Sequence, residues 1–265
     1  MNLMSYTKLN KILIIIDETN FYHPYFFLDL YKRLKLNKFK ISVGLITKVK
    51  DANSIEKYLL KNILKLNLIE IIKLGLQKIF YSATKNISSK FNFFFSVKSI
   101  IIKFNIFFFE IKYDINNEKY INKINNINPD LIISSCSLIF NKKILSLPKF
   151  GCINRHSSLL PSNAGVYSVF HSISKGEKYS GVTIHSMTTK IDQGKILAQK
   201  KILNKNNNLS KIYKECFLNS AELILVAIDN LMNNKYLKNK YKRSYNSFPD
   251  DNDWVAFRKN KGKFI

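Results

Sequence analysis

The hydrophobic pattern switches between two periods along the first third of the chain. Ile12 to Ile16 is an unbroken apolar run, mostly β-branched, closed by Asp17-Glu18. A run that short and that apolar predicts a strand buried on both faces. Pro24 to Leu36 then places apolar residues at helical spacing, Ile41 to Ile46 reads as a second strand, and Ser54 to Leu66 as a second helix. Strand and helix in alternation predict a mostly parallel sheet covered by helices. From Leu68 to Asn105 the spacing predicts only broken helices, with Ser96 to Phe104 the clearest piece, and Ile106 to Ile111 reads as a strand.

Regular patterning returns with a helix over Asn117 to Asn126, then Pro129-Asp130 turning into a strand at Leu131 to Ser134. Asn141 to Leu147 is a short helix closed by Pro148, and Cys152 to Asn154 a further strand. Val169 to Lys175 is helical with Gly176 as its terminating glycine. Gly181 to Met187 and Ile196 to Ile202 read as strands, and Leu209 to Met232 as one long helix. Acidic residues at Asp250, Asp251 and Asp253 cap a last short helix carrying Trp254 and Phe257, which anchor the tail.

Composition adds less. The chain has 265 residues, enough for one large α/β domain, and 46% hydrophobic residues, enough for a sizeable core. A formal charge of +25 resembles a nucleic-acid or membrane footprint. Lysine dominates it, however, and only Arg33, Arg155, Arg243 and Arg258 are arginines. Lysine, asparagine, isoleucine, phenylalanine and tyrosine are raised together and share AT-rich codons, so the charge reads as drift over a solvated surface. Weak, salt-sensitive attraction to anionic partners still follows from it. Cys136, Cys152 and Cys216 show no metal spacing and read as reduced thiols of a cytoplasmic protein. The amino-terminal apolar run is too short for a signal sequence, and Lys98, Lys103 and Glu110 interrupt the apolar stretch from Phe91 to Ile111, so no spanning helix is expected.

The chemistry concentrates in Gly151 to Pro161, Gly181 to His185 and Ile191 to Gly194. Alternate residues of a strand share a face, so Asn154 and His156 point together and Arg155 points away. An amide N–H stabilises a developing oxyanion, and an imidazole donates a second bond or moves a proton. Asp192, in a polar loop between two strands, is placed to orient His156 or to accept a proton through water. Taken alone, Asn-x-His equally describes a structural cap or a satisfied histidine. His185 reads as a structural strand residue, His171 carries no assigned role, and His23 lies near the expected crevice.

Asn154-Arg155-His156-Ser157-Ser158-Leu159-Leu160-Pro161, then Gly165, Gly181-Val182-Thr183-Ile184-His185 and Asp192-Gln193-Gly194, resembles the 10-formyltetrahydrofolate-dependent formyltransferase family. The resemblance runs from about Pro129 to Gln199. It implies the formyltransferase fold, a Rossmann-like, open, mostly parallel sheet with helices on both faces. It implies catalysis by Asn154, His156 and Asp192. The folate co-substrate would lie against Ser134, Ser135, Cys136, Ser137 and Leu138 and against the loop carrying Lys190 and Ile191, with no metal. Where relatives carry an apolar residue this chain has Arg155, and a guanidinium on the back of a buried strand needs a partner. Asp17-Glu18-Thr19-Asn20 replaces a glycine-rich phosphate cradle after the first strand.

The expected organisation is a formyltransferase domain over residues 1–235 and a short tail over 236–265 packed on it. Relatives acting on methionyl-tRNA add a C-terminal β-barrel, and no run of alternating strands follows Ile202. The expected acceptor is therefore a small amine such as an amino-sugar nucleotide, with no membrane partner. The alternatives are a methionyl-tRNA formyltransferase-like enzyme without the barrel, a basic RNA-binding relative without catalysis, and a hydrolase releasing formate.

Overall fold

In chain order, β1 (Lys11–Asp17), α1 (His23–Leu36), β2 (Lys40–Val49) and α2 (Ile55–Lys61) repeat the strand–helix alternation of the sequence. They are followed by α3 (Leu68–Thr84), α4 (Val97–Lys103), β3 (Phe107–Tyr113), α5 (Glu118–Ile127), β4 (Leu131–Ser135), α6 (Lys142–Ser146) and β5 (Cys152–His156). The remainder comprises β6 (Ala164–Gly165), α7 (Ser168–Ser174), β7 (Tyr179–Ser186), β8 (Ile196–Leu203), α8 (Leu209–Leu218), α9 (Ser220–Met232), β9 (Tyr245–Asn246) and α10 (Asp251–Lys259). The structure is a computed structural model that describes residues 9–19, 22–50, 55–84 and 96–265. The expectations for the amino-terminal residues 1–8, for Asn20, for Ser54 at the start of the second helix and for residues 85–95 lie outside the described residues.

Seven strands form one sheet in the order β3-β2-β1-β4-β5-β7-β8. The five from β3 to β5 are parallel, and β7 and β8 add antiparallel to one side. Helices cover both faces, as the continuous apolar strands require. Ile12, Ile14 and Ile16 enter the larger core, shared with α1, α4, α7, α8 and α9, while Leu13 and Ile15 enter a smaller core under α5 and α6. In β5, Ile153 faces the larger core and Cys152 the smaller one. By strand alternation, Arg155 therefore lies on the larger-core face and Asn154 and His156 on the other. Among the described residues no helix is long and apolar enough to cross a membrane.

Where broken helices are expected between Leu68 and Asn105, the described residues form the short α4, capped by Ser96, and the 17-residue α3. Its apolar residues occupy both faces: Ile71 and Leu74 pack inward while Leu68, Ile69, Ile72, Leu76, Ile79 and Phe80 are exposed. One expectation is corrected. The long helix after Leu209 is interrupted at Asn219. There the Asn219 side chain donates to the Glu215 carbonyl at 2.8 Å and the Ser220 hydroxyl to the Cys216 carbonyl at 2.6 Å. Side chains that take helix carbonyls in this way compete with the backbone ladder.

The carboxyl-terminal segment is held by aromatic packing and by ion pairs, among them Lys65 with Asp251 and Glu70 with Arg258. Phe257 stacks on Phe170 with ring centroids 4.3 Å apart, and Trp254 meets the same ring edge-on at 4.9 Å. The buried Glu70 of α3 accepts from Arg258 at 2.5 and 2.9 Å and from the Phe264 backbone N–H at 2.6 Å. Phe170 is fully buried beneath these contacts. Phe170→Ala is expected to cost about 3–5 kcal/mol, measured as a lower urea midpoint with an unchanged slope.

Candidate active site

Successive chain segments leave the sheet in opposite directions at β1 and β4, which are neighbours. Their carboxyl ends therefore open a crevice, as in other doubly wound sheets. A cavity of about 590 Å³ fills it. The β1 end contributes Asp17, the β4 end Ser134 to Leu138, and β5 contributes Asn154, Arg155 and His156. The loop from Thr188 to Asp192 closes one side, and Tyr22, His23, Tyr213 and Phe217 close the larger-core side.

Asn154, His156 and Asp192 meet in this cavity despite their separation in sequence. Asn154 pairs in register with His185 across the antiparallel β5–β7 ladder, so their side chains stand together. The Asn154 amide nitrogen lies 3.4 Å from His185 Nε2. Asp192 reaches both rings: Oδ2 is 3.7 Å from His156 Nδ1, and Oδ1 is 3.5 Å from His185 Nε2. On their far sides, His156 Nε2 is 3.3 Å from the Asn163 carbonyl and His185 Nδ1 is 2.9 Å from the Ser186 carbonyl. Each ring thus sits between two acceptors, and a neutral imidazole has only one N–H to give. A proton arriving at either ring finds an acceptor already in place.

The loop that carries Asp192 is shaped by backbone demands. Asp192 has φ of +52°, a left-handed conformation that Asp tolerates better than most residues. At Gly194 a Cβ would lie 1.5 Å from the Ser186 carbonyl oxygen, so only glycine lets the loop re-enter β8 here. The Gly165 N–H donates to Asp192 Oδ2 at 2.9 Å and fixes the carboxylate. Behind His156, the Thr183 hydroxyl donates to the Ser158 carbonyl at 2.6 Å and accepts from Leu160 N–H at 3.1 Å, holding the turn in place.

Burial lowers the pKa of His156 below its ordinary value and outweighs the opposing pull of Asp192, so the ring is neutral at pH 7. Burial raises that of Asp192, but His156, the bond to His185 and the Gly165 N–H together hold it well below the usual carboxylate range. Asp17 behaves differently. Burial pushes it up to about 7 although it accepts from the Ser137 N–H at 3.0 Å. Asp17 and burial together leave Cys136 an un-ionised thiol, pushed up to about 12.

Every residue expected along the folate wall lines the cavity: Ser134, Ser135, Cys136, Ser137, Leu138, Lys190 and Ile191. Two buried hydroxyls there, Ser135 Oγ and Tyr167 OH, have no hydrogen-bond partner. His171 faces away, bonded to the Ser247 carbonyl at 3.0 Å and 3.6 Å from Asp253. Sequence reasoning missed two members. His185 belongs with Asn154, and the cross-strand register was the signal that could have found it. Asp17 was read as the end of a strand, and nothing local marks it as facing a cavity.

Comparisons with known proteins identify the family and the fold. The sequence profile of the family described as Formyl transferase matches residues 11–227. The methionyl-tRNA formyltransferase of Prochlorococcus marinus (strain MIT 9215) is 37% identical over 121 residues, which cover 45% of this chain and 37% of that protein. The match thus spans well under half the length of that relative. A sugar N-formyltransferase from Shewanella sp FDAARGOS_354 superposes with a TM-score of 0.56 over 95% of this chain and 87% of its own, at 19% identity. HypX from Aquifex aeolicus, crystallised in complex with tetrahydrofolic acid, gives a TM-score of 0.54 over 94% of this chain and 34% of its own, at 15% identity. At such identities these two structures share the fold.

The cavity also has an acid-sensitive element. Burial, then the charge of Arg155, lowers His23 from 6.5 to about 3. A histidine depressed in the folded state contributes stability that is present above pH 6.5 and lost as pH falls toward about 3. In urea titrations across that range, His23→Gln is expected to lose less stability with acidification than the wild type. Identical slopes for the two proteins would remove this assignment.

Proposed function

The chain belongs to the formyl transferase family, and from that premise we propose that it is an N-formyltransferase moving a formyl group from 10-formyltetrahydrofolate to a small amine. The observation that carries the reading is the meeting of the Asn154 amide with two imidazoles bridged by the Asp192 carboxylate. That set supplies oxyanion donors and a proton acceptor at one point. The walls also suit a flat, amide-bearing ring. Leu138, Ile139, Phe140 and Ile191 are apolar, and the two unpartnered hydroxyls of Ser135 and Tyr167 offer polar contacts.

When bound, the folate co-substrate supplies the electrophilic formyl carbon. As an amine attacks that carbon, the carbonyl oxygen gains negative charge. Asn154 donates its amide N–H to that oxygen, and His156 donates a second bond once it carries the amine's proton. The attacking nitrogen becomes cationic and must lose a proton before the old carbon–nitrogen bond breaks. His156 takes it, and Asp192 stabilises the imidazolium so formed, with His185 holding the second carboxylate oxygen. The same proton then goes to the departing folate nitrogen, so charge and atoms balance. Reduced folate chemistry and the three free cysteines fit a cytoplasmic setting.

A second acceptor, methionyl-tRNA, is favoured by the relative of that name and by the net charge of +25. The small-amine reading is supported by the concave site at the sheet edge, whose volume is that of a small-molecule pocket. Formylation of amino-sugar nucleotides and of methionyl-tRNA, each at low and moderate salt, separates the two. Efficient, salt-tolerant formylation of the tRNA alone would overturn the small-amine reading.

Two kinetic outcomes test the mechanism. Asn154→Ala is expected to lower kcat by about 100- to 1000-fold while tetrahydrofolate binding changes little, because the bond to oxygen forms mainly in the transition state. The rate should also fall with acid as His156 takes up a proton, with a midpoint below 6.5 because burial depresses this ring. A midpoint near 7 that disappears in Asp17→Asn would instead assign the base to Asp17.

A further inference from the structure

Arg155 sits in β5 between Asn154 and His156 but on the opposite face, and only 8% of it is exposed. Its Nε donates to Ser220 Oγ at 2.9 Å and one Nη2 hydrogen to Ser157 Oγ at 2.6 Å. The guanidinium lies over the Phe217 ring, 3.6 Å from its centroid. These contacts hold it in place without neutralising it. No carboxylate pairs with Arg155 among the described residues, although a buried cation ordinarily has one.

The titratable groups around it do not supply the missing charge. Burial raises the Cys216 thiol to about 12 and also raises the Tyr213 phenol, so both are neutral at pH 7. His23, depressed to about 3 by burial and by Arg155 itself, is neutral too. Burial lowers Arg155 only to about 10, so the guanidinium stays charged. Two of its five N–H groups have protein acceptors, and the residue lines the cavity on the face of β5 opposite Asn154 and His156.

We propose that Arg155 is the anchor of an anion subsite that takes a phosphate or carboxylate group of the amine substrate. An oxyanion there completes both the charge and the hydrogen bonding of the guanidinium, in the bidentate geometry that arginine favours. The Ser220 hydroxyl, fixed by its own bond to the Cys216 carbonyl, and the Ser157 hydroxyl hold the fork, and the guanidinium lines the cavity. Because Arg155 and the Asn154–His156 pair leave the same strand on opposite faces, the acceptor must carry its amine and its anion at opposite ends, spanning the sheet edge. Calling the anion part of the acceptor rests on the formyl-transfer reading; the anion subsite itself does not.

The test uses the whole chain and follows the arginine Nε resonances by nuclear magnetic resonance. With four arginines in the sequence they are assignable by substitution. Inorganic phosphate and acetate are titrated separately at constant ionic strength, so that the surface lysines see the same screening in every arm. A saturable shift of the Arg155 Nε signal is expected. Arg155→Met should weaken binding of the preferred anion by about 30-fold or more, and Arg155→Lys by less. Tighter binding of phosphate assigns a phosphorylated acceptor, and tighter binding of acetate a carboxylate one. An Arg155 signal indifferent to both anions, with equal phosphate binding in wild type and Arg155→Met, overturns the proposal. If Arg155→Met does not fold, the wild-type titration and Arg155→Lys still decide. Tetrahydrofolate binding is measured alongside. Arg155-dependent anion binding without folate binding would reject formyl transfer and keep the subsite, and the reverse would reject the subsite alone.

Discussion

The pleat of one short strand organises the whole site. β5 ends at the carboxyl edge of the sheet, and its last residues alternate between two differently covered faces. Asn154 and His156 look toward the loop that brings Asp192, while Arg155 looks toward α1, α8 and α9. A slip of one residue would exchange the faces. The imidazole and amide would then lie in the larger core, and the guanidinium would stand where proton transfer is proposed. The register with β4 and β7 prevents this, with Ser134 opposite Asn154 on one side and His185 opposite it on the other.

Around that strand, electrostatics and backbone geometry act together. Asp192 is ionised because it meets two imidazoles and the Gly165 N–H, and all three side chains are largely withdrawn from water. The loop achieves this position only through a left-handed Asp192 and a glycine at 194 that passes against the Ser186 carbonyl. Such local cost is characteristic of a site whose surroundings over-determine it. The sheet supplies those surroundings: β7 and β8 hold both ends of the loop.

The interruption between α8 and α9 belongs to the same arrangement. Ser220 accepts from Arg155 while donating to the Cys216 carbonyl, so the helix break and the buried guanidinium are joined through one hydroxyl. A continuous amphipathic pattern from Leu209 to Met232 gave no sign of it, because Asn219 and Ser220 break the ladder through side-chain bonds that leave the apolar spacing unchanged. The buried polar residue of α3, Glu70, was unreadable for a different reason: it is explained only by Arg258 near the other end of the sequence.

Local pattern alone determined the strands that are buried on both faces, the helices with a single apolar stripe, and the shared face of Asn154 and His156. Each depends on neighbours a few residues away, and their spacing is written directly in the chain. Asp192 was legible only through a motif in its family's order. The companions of these residues required the tertiary structure. His185 joins the site through strand pairing, Asp17 through the adjacency of β1 and β4, and Arg155 through a burial for which no carboxylate among the described residues compensates. Those facts concern which distant segments touch, and a linear pattern carries no record of contacts made across a fold.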